Sequence, residues 1–369
     1  MAMANDETAS AESDATPSVA GKGDAVALAE RPPISWGLAA SFFLCALLLG
    51  AGLGISGMVD PRHANGFFNL FNMIEGHWDP SLALVFMSGL IANSVVYYVL
   101  KPIFKKPVFA DEFNIPCRTD IDHALVVGSV LFGAGWAFTG FCPGPGLVAV
   151  ASLNFKTILF VGTMLVGMIL CKTIQSSLRS SMERPGATSA IGASAVALAV
   201  ITVAMDAARF KTSPPMREFT ISYTEPIVGG LMIGSAVGAM MILAGQVLGI
   251  SGLVSALFDA TVRFESKIYR GFFLVGLIAA GVLLSMFRPG SLDNHMVRSD
   301  AFYLVGGLLV GFGTCLGSGC TSGHGIAGLA RLSPRSIVAV GSFFATNIFI
   351  STLLYRLFDV GSGWKAVLA

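Results

Sequence analysis

The chain has 369 residues and a formal net charge of +1, and 54% of its residues are hydrophobic while only 12% are charged. A soluble domain carries about a quarter charged residues, so this composition lacks the groups that cover a water-exposed surface. The balanced charge, without a basic patch, excludes an electrostatic nucleic-acid binder. Six cysteines without a C-x-x-C pair exclude the disulfide framework of a small secreted domain. These observations predict an all-α integral membrane protein.

Residues 1–33 form a polar segment that is rich in Ala and Ser. Such a segment cannot bury a core, so it is predicted to be a disordered N-terminal tail. It contains no apolar run with a small-residue cleavage site, and acidic residues such as Asp6, Glu7, Glu12 and Asp14 argue against a transit peptide. We therefore expect the transmembrane segments themselves to direct the protein to its membrane.

About nine segments approach the roughly 20 apolar residues that a transmembrane helix needs. In chain order, the predicted spans are 34–58, 81–100, 123–141, 157–178, 189–208, 226–257, 271–287, 302–316 and 337–358. The aromatic, amphipathic stretch 66–78 is predicted to lie along the membrane interface.

Two polar, glycine-rich stretches stand where a membrane helix should be continuous. Residues 139–152 read TGFCPGPGLVAVAS, and residues 317–332 read GSGCTSGHGIAGLARL. Each proline of the first stretch removes a backbone donor and restricts the residue before it. Broken backbone at membrane depth is tolerated only where protein buries it or where it lines a wet cavity. We therefore predict two re-entrant or interrupted helices that carry the functional residues.

The two breaks occupy matching places in the chain. Each half has three spans, a break and a fourth span, and residues 54–57 and 249–252 both read GISG. Four spans return the chain to its starting face, so the lone span 189–208 would bring the second half in from the opposite face. This parity predicts two inverted repeats of four helices around a linker helix, as in many secondary transporters. The predicted domains are the tail (1–33), the first membrane repeat (34–186), the linker helix with its loop (187–225) and the second membrane repeat (226–369).

The basic residues of the loops predict the orientation. The face that holds the N-terminus also holds 14 of the 23 Lys and Arg residues. Cytoplasmic loops carry the excess of these residues. We therefore expect a cytoplasmic N-terminus, in the plasma (cell) membrane.

The chemistry of the breaks favours an anion. Interrupted helices end in unpaired N–H groups with a partial positive charge. Cys142 and Cys320 hold matching positions there, and a thiol at a helix N-terminus can become more acidic or donate a weak S–H hydrogen bond. Thiols along a narrow path suit a soft, sulfur-bearing anion. The predicted substrate-binding residues are Cys142, Cys320, Cys315, Gly144, Gly319, Thr321, Ser322 and His324, and no catalytic residue, metal or cofactor is predicted.

Some of these residues have other interpretations. Free cysteine usually behaves as a small hydrophobe, and three cysteines outside the breaks are predicted to be packing residues: Cys45, Cys117 and Cys171. Cys315, five residues before Cys320, either lines the same path or packs. Cys320 and His324 have an i, i+4 spacing that could bind a metal, but they are only two local ligands. His324 is expected chiefly to hydrogen-bond within its loop.

The breaks also carry a resemblance to a known family. Residues 317–336, GSGCTSGHGIAGLARLSPRS, look like the signature of the YeeE/YedE sulfur-transport family. Three further segments resemble the partner half-protein of that family: GISGMVDPRHANGFFNL (54–70), WDPSLA (78–83) and GWAFTGFCPGPGLVA (135–149). The resemblance covers nearly everything from Ile34 onward and implies a fusion of the two half-proteins.

This resemblance implies a thiosulfate transporter in which thiols at a central constriction pass the ion by S–H···S contacts. The thiols that match the family's motifs are Cys142 and Cys320. Cys315 is the candidate for a third thiol, since the GISG segments contain no cysteine.

The leading hypothesis is therefore a transporter, not an enzyme, for thiosulfate or a related sulfur-containing ion. The alternative is a membrane thiol redox enzyme of the thiol–quinone type, whose cysteines would have to exchange disulfides. A third hypothesis is a regulatory or scaffold subunit that has lost transport. The expected partners are a small inorganic sulfur-containing anion, the lipid bilayer and a soluble sulfur-carrier protein on the cytoplasmic side, with no nucleic acid.

Overall fold

A computed structural model describes residues 34–74, 78–116, 118–182, 223–288, 290–292 and 298–354, and within them the chain is helical and forms no strand. The helices of the first half are α1 (Trp36–Ile55), α2 (Pro61–Phe68), α3 (Leu70–Ile74), α4 (Ser81–Val95), α5 (His123–Thr139), α6 (Pro143–Ala149) and α7 (Phe155–Met182). Those of the second half are α8 (Thr224–Ala244), α9 (Ile250–Ser255), α10 (Phe264–Phe287), α11 (Asp300–Leu316), a π-helix (Thr321–Gly328) and α12 (Pro334–Leu354). A π-turn (Val96–Leu100) and a 3-10 turn (Lys101–Ile103) follow α4, and a second 3-10 turn (Val150–Ser152) follows α6. The predicted all-α fold is confirmed.

Seven described helices are long and apolar enough to cross a membrane. The pair of α11 and the π-helix, bent by 47°, makes an eighth if it counts as one span. These eight match eight of the nine predicted spans in order. The ninth, residues 189–208, lies outside the described residues, as do the predicted tail 1–33, Cys117 and most of the predicted linker 187–225. Apolar helices in this number define an integral membrane protein.

Both predicted breaks are present, and their backbones follow the same course. After α5, Gly140 has a left-handed φ of 72°, Cys142 is extended and Pro143 begins α6. After α11, Ser318 has a φ of 61° and Cys320 is extended before the π-helix. A left-handed residue ends a helix, and an extended residue precedes the first turn of the next one. The chain therefore starts a new short helix at each cysteine.

The most extensive helix packing joins the first half to the second. Helix α1 packs against α8 and α10, α4 against α8, α5 against α11 and α12, and α7 against α11. Exchanging each long helix for its counterpart in the other half (α1 for α8, α4 for α10, α5 for α11, α7 for α12) leaves this set of contacts unchanged. An internal two-fold axis would produce this pattern, and the inverted orientation of the halves in a membrane stays a prediction.

The centre of the helical unit and its lipid-facing rim are distinguished by burial. In the span formed by α5 and α6, 83% of the residues in its 18-residue apolar stretch are buried. The corresponding share is 28% for the span that begins with α4 and 33% for α10 and for α12. The rim helices present large exposed apolar side chains, among them Met87, Val275 and Phe349. Side chains of this kind face lipid in a membrane protein. The break after α5 therefore lies in the protein interior.

The prediction of one long span at 226–257 is wrong. Helix α8 ends at Gly245, which has a φ of 68°, and α9 begins only after the extended Gly249. The prediction that each GISG segment closes the first span of its half is wrong for the second half, because the first GISG ends α1 at Ile55 whereas the second begins α9 at Ile250. Glycine permits both a helix end and a helix start, so the motif carries no information on which one forms.

Candidate functional site

The two predicted breaks meet in the protein interior. Cys142 precedes α6 and Cys320 precedes the π-helix, and both thiols are buried. The hydroxyl of Thr321 donates a hydrogen bond to Cys142 Sγ at 3.4 Å. Two stretches about 180 residues apart in the sequence thus form one candidate site, in which a thiol of the first break contacts a hydroxyl of the second.

A third broken segment completes this candidate site. Cys320 Sγ lies 3.2 Å from Ser322 Oγ, and the same hydroxyl oxygen accepts the backbone N–H of Ile250 at 3.1 Å. Because Ile250 begins α9, its N–H has no partner within that helix. Ser322 satisfies this N–H and also lies within hydrogen-bond distance of the Cys320 thiol. Sequence analysis missed this segment, since it treated α8 and α9 as one span.

An apolar cavity of about 50 Å³ lies on one side of the contact. Cys142, Thr321 and Ser322 line it, and its other walls come from apolar residues that include Leu53 and Trp136. The volume exceeds the roughly 10–15 Å³ that one water molecule requires. A small, partly dehydrated group therefore fits beside the Cys142 thiol.

A basic cavity of about 380 Å³ lies next to the apolar one, and its charged wall is formed by Arg118, Arg270, Arg331 and Arg335. Ser322 and Ile250 line the apolar cavity, whereas their neighbours Gly323 and Gly249 line the basic one. A Cβ atom built on Gly249 would lie 3.5 Å from Gly323 Cα. The wall between the two cavities is therefore formed by the backbone of these two segments, in contact with each other. We name this partition, with Cys142, Cys320, Thr321 and Ser322, the constriction.

The loop before α5 supplies acidic groups at the mouth of the basic cavity. A hydrogen bond from Arg118 lowers the pKa of Asp120 to about 2. The same hydrogen bond raises the pKa of Arg118 above its ordinary value. Both groups therefore stay ionised at neutral pH.

His324 is held inside its own segment. Its Nε2 lies 3.2 Å from the carbonyl oxygen of Gly317, and its Nδ1 lies 3.0 Å from Ser336 Oγ. Because a carbonyl only accepts, Nε2 carries the proton and Nδ1 accepts from the Ser336 hydroxyl. A Cβ atom on Gly319 would lie 2.5 Å from this ring, so glycine is needed for the ring to pack there. Both ring nitrogens are engaged, and within the described ranges no three His, Cys, Asp or Glu side chains gather as a metal site.

Backbone groups of the short helices also face the site. Gly144, in the first turn of α6, packs against α9, because a Cβ atom on Gly144 would lie 2.7 Å from Ile250 Cδ1. Asn93 of α4 donates to the carbonyl oxygen of Ile326 at 3.2 Å, which satisfies an acceptor of the π-helix. Sequence analysis missed Asn93, although a buried amide within an apolar span is a signal of such a contact.

The remaining cysteines lie elsewhere. Cys315 and Cys171 are buried in a second apolar cluster with Leu131 and Phe138, whereas Cys142 and Cys320 belong to the main cluster. Cys45 packs in the main cluster on α1 and lines neither cavity. All five cysteines of the described ranges are free thiols. The structure therefore brings together all of the predicted binding residues except Cys315.

The fold and the site define a class: a polytopic helical membrane protein with a thiol-bearing constriction between two cavities. Comparison with known proteins adds to this. Residues 38–182 match a family of unknown function, DUF6691. A protein of Xylella fastidiosa (strain Temecula1 / ATCC 700964), named a probable transporter, is 38% identical over 124 residues, which are 34% of this chain and 81% of that relative. A second probable transporter of the same strain is 36% identical over 132 residues, which are 36% of this chain and 95% of that relative.

Both relatives are less than half as long as this chain, since the matched residues make up most of each. Strain 9a5c of the same organism has a similar protein, also named a probable transporter, with 38% identity over 124 residues, or 34% of this chain and 82% of the relative. The chain belongs to the family of these proteins.

Proposed function

We propose that this protein is a membrane transporter that passes thiosulfate or a related sulfur-containing anion through the constriction. The observation that carries the proposal is the contact of Thr321 with Cys142 at 3.4 Å in the wall of the apolar cavity, close to the residues Ser322 and Gly323 at which this cavity adjoins the basic one. The names of the relatives support transport in general. The resemblance of the two breaks to the YeeE/YedE family and its partner half-protein supports the choice of a sulfur anion.

Neutral donors would hold the anion at the constriction. The hydroxyls of Thr321 and Ser322 and the thiols of Cys142 and Cys320 all lie in this region. In a low-dielectric interior such donors replace the hydration of an anion without a full ion pair. A conducting site must bind its ion well enough to admit it and weakly enough to release it. Donors without formal charge meet both requirements.

Passage requires the constriction to open. In this structure the Ser322–Ile250 hydrogen bond and the approach of Gly249 to Gly323 close the partition. An oxyanion can accept the N–H of Ile250 in place of Ser322, and the freed hydroxyl can then donate to the anion as well. The substrate would thereby stabilise the open arrangement through its own hydrogen bonds.

No covalent step belongs to this proposal. The thiols act as hydrogen-bond donors and as soft contacts for sulfur, so they stay reduced through turnover. The cytoplasmic N-terminus, the plasma membrane and a soluble sulfur-carrier protein on the cytoplasmic side remain part of the proposal. Cys315 is kept as the candidate third thiol, outside the constriction.

Uptake of sulfur-labelled thiosulfate into cells that lack their own importers tests the proposal. We expect wild type to restore uptake, and Cys142→Ser and Cys320→Ser each to lower the rate by about tenfold or more, the effect of losing roughly 1.4 kcal/mol of transition-state stabilisation. Serine keeps the size and the hydrogen bonding but removes the soft sulfur. Cys45→Ser is the matched control, because that thiol is equally buried but lies outside the constriction.

Two results would contradict the proposal. Uptake that survives both substitutions at normal protein levels would mean that the thiols are packing residues. A disulfide that involves Cys142 or Cys320, found in protein that is denatured and free of substrate after turnover, would indicate disulfide cycling, as in the thiol redox alternative.

A further inference from the structure

The loop between α4 and α5 binds the end of another membrane-spanning helix. It starts with the 3-10 turn Lys101–Ile103, at the end of the α4 span. The backbone N–H groups of Val108 and Phe109 donate to the carbonyl oxygens of Ile242 and Leu243, in the last turn of α8, at 3.0 and 2.9 Å. Carbonyls in the last turn of a helix have no partner within that helix. The loop therefore caps α8 and is held in place by it.

The same loop contacts the start of α1. A Cβ atom built on Gly37 would lie 2.5 Å from the ring of Phe109, so this ring rests on the first turn of α1. Trp36, the neighbour of Gly37, is 73% exposed. The end of the α4 span, the end of α8 and the start of α1 thus lie side by side at this loop. Span ends that meet in this way mark the level at which the hydrocarbon core of a bilayer gives way to its polar interface, where exposed Trp residues are enriched.

Exposed apolar and basic side chains share one short stretch of this loop, residues 103–109, which we name the interfacial loop. Lys105 and Lys106 are exposed. Large apolar side chains, each between 39% and 70% exposed, flank the two lysines in pairs: Ile103 and Phe104 before them, Val108 and Phe109 after them. Basic residues among exposed apolar ones are typical of segments that lie in a membrane interface.

The charges of the two lysines are available to a partner. The side chains of Lys105 and Lys106 form no ion pair and no hydrogen bond within the described part of the chain. Lys101, just before the interfacial loop, differs, because its Nζ lies over the rings of Tyr97 and Phe113 at 5.2 and 5.7 Å. Rings attract a cation without neutralising its charge. All three lysines therefore contribute positive potential at this surface.

The acidic residues of the same loop lie outside the apolar stretch. Asp111 and Glu112 are exposed, but no large apolar side chain that is described between residues 110 and 120 is exposed with them. Two residues further on, the N–H of Asn114 donates to the carbonyl oxygen of Gly245 at 2.7 Å, so this part of the loop runs along the end of α8. The charge that accompanies the exposed apolar side chains is therefore positive.

We propose that the interfacial loop is a binding surface for anionic phospholipids of the bilayer. Its four apolar side chains enter the boundary between headgroups and acyl chains, and Lys105 and Lys106 bind headgroup phosphates as point charges. The bilayer is the occupant because the loop continues the exposed apolar rim of the α4 span, where Tyr98 and Val99 are each more than half exposed. A soluble acidic partner would match the lysines but not this continuous apolar rim.

Lipid at this surface acts on the broken segment between α8 and α9. The N–H groups that cap α8 belong to Val108 and Phe109, which are part of the interfacial loop. The chain leaves α8 at Gly245 and reaches Ile250, whose N–H belongs to the constriction, five residues later. A loop that is fixed by bound lipid therefore fixes the helix end from which this segment of the constriction departs.

Lipid binding to the purified full-length protein tests the surface. The protein in detergent is titrated with phosphatidylglycerol and, separately, with zwitterionic phosphatidylcholine, and native mass spectrometry measures the Kd of each. We expect wild type to bind phosphatidylglycerol more tightly. The double variant Lys105→Gln/Lys106→Gln should weaken this binding by about thirtyfold, roughly fivefold for each lysine at an anionic surface. Its binding of phosphatidylcholine, and its thermal stability without lipid, should equal those of wild type.

Two control variants separate this surface from the general charge of the protein. Arg263→Gln removes a basic residue that is also exposed but precedes α10 and pairs with Glu265, so it should leave lipid binding unchanged. Asp111→Asn with Glu112→Gln removes the neighbouring carboxylates and should strengthen the binding of phosphatidylglycerol. Equal affinity of wild type for the two lipids would refute the proposal and leave the loop as a surface for a protein. An equal loss in the lysine variant and in Arg263→Gln would refute it as well.

Hydrogen exchange in nanodiscs tests the link to α8. The amides of Val108 and Phe109 and of residues 246–250 should exchange several-fold more slowly in phosphatidylglycerol than in phosphatidylcholine. The lysine double variant should show no difference between the two lipids. If phosphatidylglycerol slows exchange equally in this variant, the lipid acts elsewhere on the protein and the proposal is wrong. Neither measurement involves transport, so both outcomes are independent of the proposed function.

Discussion

The polar groups of the constriction satisfy one another when no ion is bound. Thr321 donates to Cys142, Ser322 accepts from Ile250, and Cys320 lies within hydrogen-bond distance of Ser322. Unsatisfied groups at this depth would each be unfavourable by roughly 1–3 kcal/mol. Short hydroxyl and thiol side chains can exchange such partners by rotating about one bond. The site is therefore stable when empty and still able to donate to an ion.

A residue outside the membrane gives the clearest dependence on pH. Asp259 follows α9, and its pKa is lowered to about 2 by hydrogen bonds from Thr261 and from Lys172, which lies on α7 at 2.9 Å. A group with a lowered pKa in the folded state contributes stability above its unfolded pKa and loses it as pH falls through the folded value. The contribution is thus present above about pH 4 and lost towards about pH 2.

We therefore expect Asp259→Asn to lower the free energy of unfolding in detergent by roughly 0.2–1 kcal/mol near neutral pH, since both partners are partly exposed. The difference from wild type should vanish near pH 2. Lys172→Met should have a similar effect, and the double variant should lose less than the sum of the two. Additive losses would show that the pair does not interact.

For single residues of the constriction, the sequence predicted the contacts well when the residues belong to a recognisable motif. Cys142, Thr321 and Ser322 were predicted from the Cys/Gly breaks, and they come together. Ile250 and Arg270, whose buried Nε has no hydrogen-bond partner in the described part of the chain, were not found. The first belongs to a segment whose helix break has no proline, and the second is one arginine among many until the fold places its neighbours. Contacts between distant segments depend on packing that residue types alone do not encode.

The two breaks share a further conformational feature, in addition to the left-handed residue and the extended cysteine of each. Each short helical segment ends in a leucine with a left-handed backbone, Leu153 with a φ of 54° and Leu332 with a φ of 53°. For a non-glycine residue this conformation is uncommon and persists only where the surrounding structure imposes it. Both leucines lie at turns that lead the chain into the next long helix, α7 or α12. The sequence predicted where the helices break but offers no signal for these strained turns.

Close helix packing is the device that holds the breaks in place. Gly311 of α11 is the extreme case, because a Cβ atom there would lie 1.9 Å from the carbonyl oxygen of Met164 on α7. Small residues let membrane helices approach closely, and this contact can only be relieved by separating the helices. The sequence shows many glycines without indicating which of them bring helices together.

Gly311→Ala should therefore destabilise the folded protein by about 1–3 kcal/mol, the usual effect of overpacking. Gly341→Ala, on the exposed side of α12 with nothing within 4 Å of the added Cβ, is the matched control and should be neutral or slightly stabilising. Thermal unfolding in detergent measures both. Equal unfolding temperatures for the two variants would contradict this prediction. They would mean that α7 and α11 can move apart to admit the added methyl group without a loss of stability.

For the whole molecule, the decisive feature is that its main helix contacts cross between the halves. The relatives match about a third of this chain each while accounting for most of their own length, so proteins of half the size exist in this family. A single half of this chain would leave exposed the surfaces that α5 and α11 bury against each other. Arg335 would also lose Asp122, and an isolated buried charge in a membrane is strongly unfavourable. We therefore expect each half to need the other in order to fold.

Division of the chain between Thr212 and Ser213 tests this interdependence. The predicted linker span then stays with the first fragment, and the second fragment carries α8 to α12. Expressed alone, each fragment should aggregate or be degraded, whereas together they should copurify through a tag on one of them and restore uptake. Gly311→Ala in the second fragment should weaken the copurification, because its partner Met164 is in the first fragment, and Gly341→Ala should not. A fragment that is monodisperse and protease-resistant by itself would show that the halves fold independently. Packing between the halves would then hold two folded domains together and would not be required for either to fold.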